Sequence, residues 1–197
     1  MKNIVVICLL LILSSCIANT KMSLSSSYKN DFILNKDKKY IFIKNNLHTN
    51  DFSFIKTVDD DFKGIFGENL HIKNSLLEFE NDRFVRVTNG FIDIMKENYS
   101  EDFDYLVIMR FMRKPENKDD IDNKIIKIKI DETSKVRVYH TILQIIDLKS
   151  GKIVYSKEAI SDYRKNFGTG ITTKPIKQLY DTYNHLLKEF KENLNQK

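Results

Sequence analysis

The stretch DYLVIMRFM, residues 104–112, decides the fold. Six of its nine side chains are aliphatic or methionine or phenylalanine in near-continuous order, too short for a buried helix and without the alternation of a half-exposed strand. Such a run reads as a central strand covered on both faces. Downstream, KVRVYHTILQIIDL (135–148) reads as a long strand, KSG (149–151) as a tight turn, and KIVYSKEA (152–159) as the returning partner. The charged segment RKPENKDDID (113–122) reads as a loop, and the alternating KIIKIKI (124–130) as an edge strand whose lysines discourage pairing with other chains.

Upstream, KYIFIK (39–44) reads as the first strand and RFVRVT (83–88) as another. Between them, Phe62, Ile65, Phe66, Leu70, Leu76 and Leu77 recur mostly at three- and four-residue intervals. That spacing predicts a helix over 60–80, with Asp59, Asp60 and Asp61 complementing the dipole at its start. Gly64 and Gly67 are the weak points of this helix. Asn89-Gly90 is a turn signal, and Phe91, Ile92, Ile94 and Met95 fit a short helix to about residue 99. Residues 161–172 read as a loop. The last element is a long helix in which Thr173 caps, Pro175 suits the first turn, and Ile176, Leu179, Tyr180, Tyr183, Leu186, Leu187, Phe190 and Leu194 form an apolar stripe. The expected class is α/β (α+β): a mixed sheet of five or six strands with helices packed on it, in the order β-α-β-α-β-β-β-β-α.

The first residues carry a different message. Met1-Lys2-Asn3 precedes an apolar run from Ile4 to Leu13, which ends in Leu13-Ser14-Ser15-Cys16. A single positive charge before about ten apolar residues is the layout of a secretory signal, too short for the ~20 residues a bilayer span needs. The closing tetrapeptide resembles the bacterial lipobox, in which small residues admit the peptidase and the cysteine thiol takes diacylglycerol. The expectation is therefore a signal peptide over 1–15, lipid including palmitate on Cys16, a flexible tether over 16–37, and one α/β domain over 38–197. The tether reading rests on a mostly polar segment with Ser25-Ser26-Ser27. Ile17 offers no acidic inner-membrane retention signal of the enterobacterial kind, which points to the outer membrane.

Composition narrows the functions. Of two cysteines, Cys8 leaves with the signal and Cys16 is consumed by lipid, so the mature chain has neither a disulfide nor a thiolate metal site. The formal charge is +5, or about +4 without Lys2, and its lysines are interleaved with Asp and Glu. That is a solvated mixed surface rather than a nucleic-acid footprint. His48, His71, His140 and His185 stand apart with no ligand-like spacing. Helix capping and a solvated loop account for Asp59 to Asp61 and for Asp119, Asp120 and Asp122 more cheaply than calcium, and the second cluster lacks the glycine and distal glutamate of a calcium loop. No phosphate loop, nucleophile elbow or zinc helix motif occurs. No catalytic residue, cofactor or metal is expected. For contact with a partner the candidates are Tyr163, Arg164 and Phe167, since tyrosine and arginine are frequent interface anchors.

The segment Asp104-Tyr105-Leu106-Val107-Ile108 resembles the "DYLV" strand of envelope lipoproteins in the curli-secretion (CsgG-like) and penicillin-binding-protein-activator (LpoB-like) group. Ile146-Asp147-Leu148-Lys149-Ser150-Gly151-Lys152-Ile153-Val154-Tyr155-Ser156 resembles that group's D-x-x-T/S-G-x-I-x-W-S hairpin, with Tyr155 in place of tryptophan. The glycine that often follows the "DYLV" strand is absent, and nothing resembles the long transmembrane hairpins of the curli channel. The resemblance implies a small periplasmic α/β domain that binds other envelope proteins and catalyses nothing. A surface-exposed lipoprotein meeting host or environmental ligands is the alternative; an enzyme with an unrecognised site ranks below both.

Overall fold

The structure, a computed structural model, describes residues 19–26, 32–44, 52–73, 89–113, 136–164 and 174–195. Within them lie strands β1 (Asn19–Ser26), β2 (Tyr40–Lys44), β3 (Leu70–Lys73), β4 (Tyr105–Arg113), β5 (Val136–Asp147) and β6 (Lys152–Arg164), and helices α1 (Phe52–Phe66), α2 (Asn89–Tyr99) and α3 (Pro175–Asn195). The strands form one mixed sheet ordered β1-β6-β5-β4-β2-β3. β2 pairs in parallel with β3 and β4, while β4, β5, β6 and β1 run antiparallel in succession. The expected class, the mixed sheet and the long last helix are all present.

β4 is the central strand that its composition requires. Every residue from Leu106 to Phe111 is buried, including Arg110. Its odd and even positions feed two separate cores. Val107, Met109 and Phe111 join the rings of α1 and the apolar stripe of α3. Leu106 and Ile108 join Ile41, Ile43 and the α2 residues Phe91, Ile92 and Met95. The first core is dominated by aromatic rings: Phe42 stacks on Phe62 with centroids 4.4 Å apart, and Tyr155 meets Phe190 edge-on at 5.0 Å. Tyr155 is thus a core ring.

The hairpin turn explains its own sequence. Asp147 accepts from the Ser150 amide through its side chain at 2.8 Å and from the Gly151 amide through its carbonyl at 2.8 Å. Gly151 sits at φ +70°, a conformation that glycine adopts without the Cβ penalty. Asp104 ties three strands at the same end. Its backbone bonds reach Lys39 and Leu148, and its carboxylate accepts from the Lys39 amide at 3.1 Å and pairs with Lys38 and Lys149. Burial alone would raise this carboxyl, but the Lys39 amide and the two ammonium groups outweigh it and hold it below the usual range.

Three expectations are corrected. The first helix spans Phe52–Phe66 rather than 60–80. Its buried stripe is Phe54, Val58, Phe62 and Phe66 at four-residue spacing, and Gly67 at φ +72° ends it before Leu70 enters β3. Asp59, Asp60 and Asp61 consequently lie at and just past the middle of the helix. Asp59 pairs with Lys44, and Asp61 accepts from the Tyr183 hydroxyl at 3.0 Å, so these carboxylates join elements instead of capping a helix start.

The second correction concerns the tether. Asn19–Ser26 is not free chain but the edge strand, in register with β6 from Asn19↔Arg164 to Ser26↔Lys157. Phe32 is 5% exposed among the rings of the first core. The domain therefore starts by residue 19, not 38. The polar composition of β1 suits an edge strand, where only Leu24 packs on the core. Residues 16–18 and 27–31 lie outside the described residues, as do the strands expected at 83–88 and 124–130 and most of the loop at 113–122. Third, the loop expected at 161–172 begins later, because β6 continues to Arg164.

Candidate functional site

Among the described residues the two sheet faces are unequally covered. α1 and α3 cover one. On the other, α2 packs against β2, the first half of β4 and the end of β5. Beyond α2, that second face carries polar side chains in a row across three strands. The register sets Ile108 opposite Gln144, Arg110 opposite Ile142, Gln144 opposite Ser156 and Ile142 opposite Glu158. Arg110 Nη2 donates to Gln144 Oε1 at 2.6 Å, and Gln144 Nε2 donates to Ser156 Oγ at 3.3 Å. All three residues are buried. Burial lowers the Arg110 guanidinium to about 10, and the nearby Glu158 carboxylate acts against that fall, so the cation persists at neutral pH.

Next to this buried part lies a half-exposed one. His140 Nδ1 is 2.6 Å from Glu158 Oε1, and Ser25 Oγ of β1 donates to Glu158 Oε2 at 3.3 Å. The glutamate sits between serine and histidine. In a nucleophilic triad the histidine must stand between serine and acid, where it can take the serine proton. Here His140 and Ser25 both meet Glu158 instead, so the arrangement joins β1, β5 and β6 and does not have the order of a triad. The buried Arg110 also fixes register. A one-residue slip of β4 would carry the cation into the aromatic core on the opposite face.

Among the expected contact residues, Tyr163 is corrected. It pairs with Thr20 and Arg137 within the sheet and is fully buried, so its ring is part of the interior rather than a surface anchor. Arg164 closes β6 opposite Asn19 and Val136. Phe167 and Cys16 lie outside the described residues. The histidines were expected to stand alone. His140 instead meets Glu158, His71 lies 5.6 Å from the Phe103 ring, and His185 is half-buried on α3. His48 lies outside the described residues, as do Asp119, Asp120 and Asp122.

Among the described residues no group of three or more His, Cys, Asp or Glu converges as a metal site would require. Among them, too, no helix is long and apolar enough to cross a membrane.

The chain matches no protein-family model, and no curated protein matches it. Among solved structures it is similar to the PelC dodecamer from Paraburkholderia phytofirmans, at 11% identity over 76% of this chain and 86% of that one, with a TM-score of 0.38. A single-substitution variant of the same dodecamer gives 10% identity over 77% and 86%, with a TM-score of 0.34. A likeness at that distance assigns neither family nor function.

Proposed function

We propose that this chain is a bacterial cell-envelope lipoprotein, cut before Cys16 and held on the outer membrane by lipid on that cysteine, whose domain is a non-catalytic binding or assembly module for other envelope proteins. The observation that carries the reading is the order of three features in the first sixteen residues: Lys2, the apolar run, and Leu13-Ser14-Ser15-Cys16. Several acyl chains at about 0.8 kcal/mol per buried methylene make a durable anchor, which one chain does not. The Ser25–Glu158–His140 order supports a non-catalytic role, because among the described residues His140 meets the glutamate and not the serine.

Crosslinking in whole cells, followed by identification of the captured proteins, tests the module. Envelope proteins should be recovered with the wild-type chain and largely lost when Cys16→Ala releases it from the membrane. Recovery of no envelope protein would count against the module. Protease treatment of intact cells should leave the domain uncut if it faces the periplasm, and cleavage would favour the surface-exposed alternative.

A further inference from the structure

β1 is held differently from the strand it lies on and from the chain that follows it. Lys21, Met22, Ser23, Ser25 and Ser26 are exposed, and only Leu24, half-buried, packs on the first core. Ser25 donates to Glu158 at 3.3 Å and Ser26 to the Ser156 carbonyl at 3.3 Å, both long for bonds from a hydroxyl. Otherwise β1 is attached through its backbone ladder to β6. β6 itself is deeply set: Tyr155, Ser156, Ala159, Ser161 and Tyr163 are buried, and the strand pairs with β5 along its length.

Phe32, six residues past Ser26, is docked by contacts that do not involve β1. It is 5% exposed, its ring meets Tyr105 edge-on with centroids 5.6 Å apart, and its amide donates to the Val154 carbonyl at 3.1 Å. The firm start of the core is therefore Phe32. A segment with few buried apolar contacts and solvent-exposed backbone bonds opens locally at a small fraction of the global stability. β1 meets both conditions, and Phe32 meets neither.

We propose that β1 is a releasable strap: it peels from β6 as a unit while Phe32 stays docked and the sheet from β6 to β3 persists. Release bares the backbone edge of β6 from Lys157 to Arg164. It also changes reach. Cys16 is three residues from Asn19, at most about 11 Å, but sixteen from Phe32, roughly 50 Å when extended. The opening stands on the packing of β1 alone. Its effect on reach rests on the lipidation of Cys16 proposed above, which makes the chain before Phe32 the link between membrane and domain.

Hydrogen exchange followed by mass spectrometry, on the full chain extracted in detergent, tests the opening. Peptides within 19–26 should exchange about 100-fold or more faster than peptides within 139–146 of β5, yet slower than an unstructured chain. Equal protection in the two segments overturns the strap. Exchange of 19–26 at the unstructured rate also overturns it, since β1 is then not docked. Leu24→Ser should quicken exchange in 19–26 by about ten-fold and leave 139–146 unchanged; equal quickening in both overturns separate opening. Ser23→Pro combined with Leu24→Pro holds the strap open, because amides of adjacent strand residues point to opposite sides and one of the two faces β6. That variant should fold and keep wild-type protection in 139–146. Loss of this protection, or failure to fold, makes β1 part of the cooperative core and overturns the proposal. On vesicles with a headgroup-linked acceptor, energy transfer from a donor at Lys149→Cys, an exposed position, should fall in the proline variant. Unchanged transfer overturns the change in reach. If neither protein binds vesicles while the exchange results hold, lipidation has failed and the strap stands.

Discussion

The two faces of the sheet are stabilised in different ways. The face under α1 and α3 is mainly an aromatic core, with Phe42, Phe62, Phe66 and Phe190 linked in a chain of ring contacts and a buried Gln178–Ser161 pair beside it. The other face is apolar only beneath α2 and then gives way to Arg110, Gln144, Ser156, Glu158 and His140. Burying rings is non-directional and large in energy, and it tolerates small shifts of one strand past another. Burying a guanidinium gains little net energy but penalises every register except one. The aromatic face thus supplies most of the stability, and the polar row selects the pairing of β4, β5 and β6.

The largest expected effect breaks the aromatic face. Phe62→Ala removes a fully buried ring stacked on Phe42 and should cost about 3–5 kcal/mol in denaturant unfolding. A smaller loss follows on the polar face. Gln144→Ala takes an acceptor from Arg110 and a donor from Ser156, for about 1–3 kcal/mol. Should Gln144→Ala prove the more damaging, the division of roles between the faces is wrong.

Acid should act more gradually. Lys157 holds the Glu189 carboxyl below its ordinary 4.5, and Asp104 lies below its ordinary 3.8 despite partial burial. A depressed folded-state pKa means stability that is fully present above the unfolded values and lost as pH falls through the folded ones. Melting temperature should therefore be flat around neutrality and decline below about pH 4.5, and Lys157→Met should weaken that decline. A melting temperature independent of pH from neutrality to pH 3 would contradict both assignments.

Legibility in the sequence followed the same division. β4, the hairpin β5–β6 and α3 were readable because apolar runs or stripes dominate them. β1 was not, since NTKMSLSS packs only Leu24 and otherwise has the composition of a linker. The start of α1 was missed because the stripe from Phe54 to Phe66 was read from its second half, with Leu70 counted as a continuation although Gly67 intervenes. The polar row and its Ser25 contact together draw on four strands, and only register brings Ser25, Arg110, His140 and Glu158 together. A partial signal existed: Arg110 in VIMRFM and Gln144 in ILQIID are lone polar residues inside apolar strands. Such positions need a buried partner. The resemblance of Leu13-Ser14-Ser15-Cys16 to a lipobox remains entirely a sequence observation.

The most direct measurement is the mass of the N-terminal peptide of the full chain extracted from membranes. The account predicts a peptide that begins at Cys16 and carries diacylglycerol with fatty acid. A chain that retains Met1, or that begins elsewhere with Cys16 unmodified or absent, would contradict it.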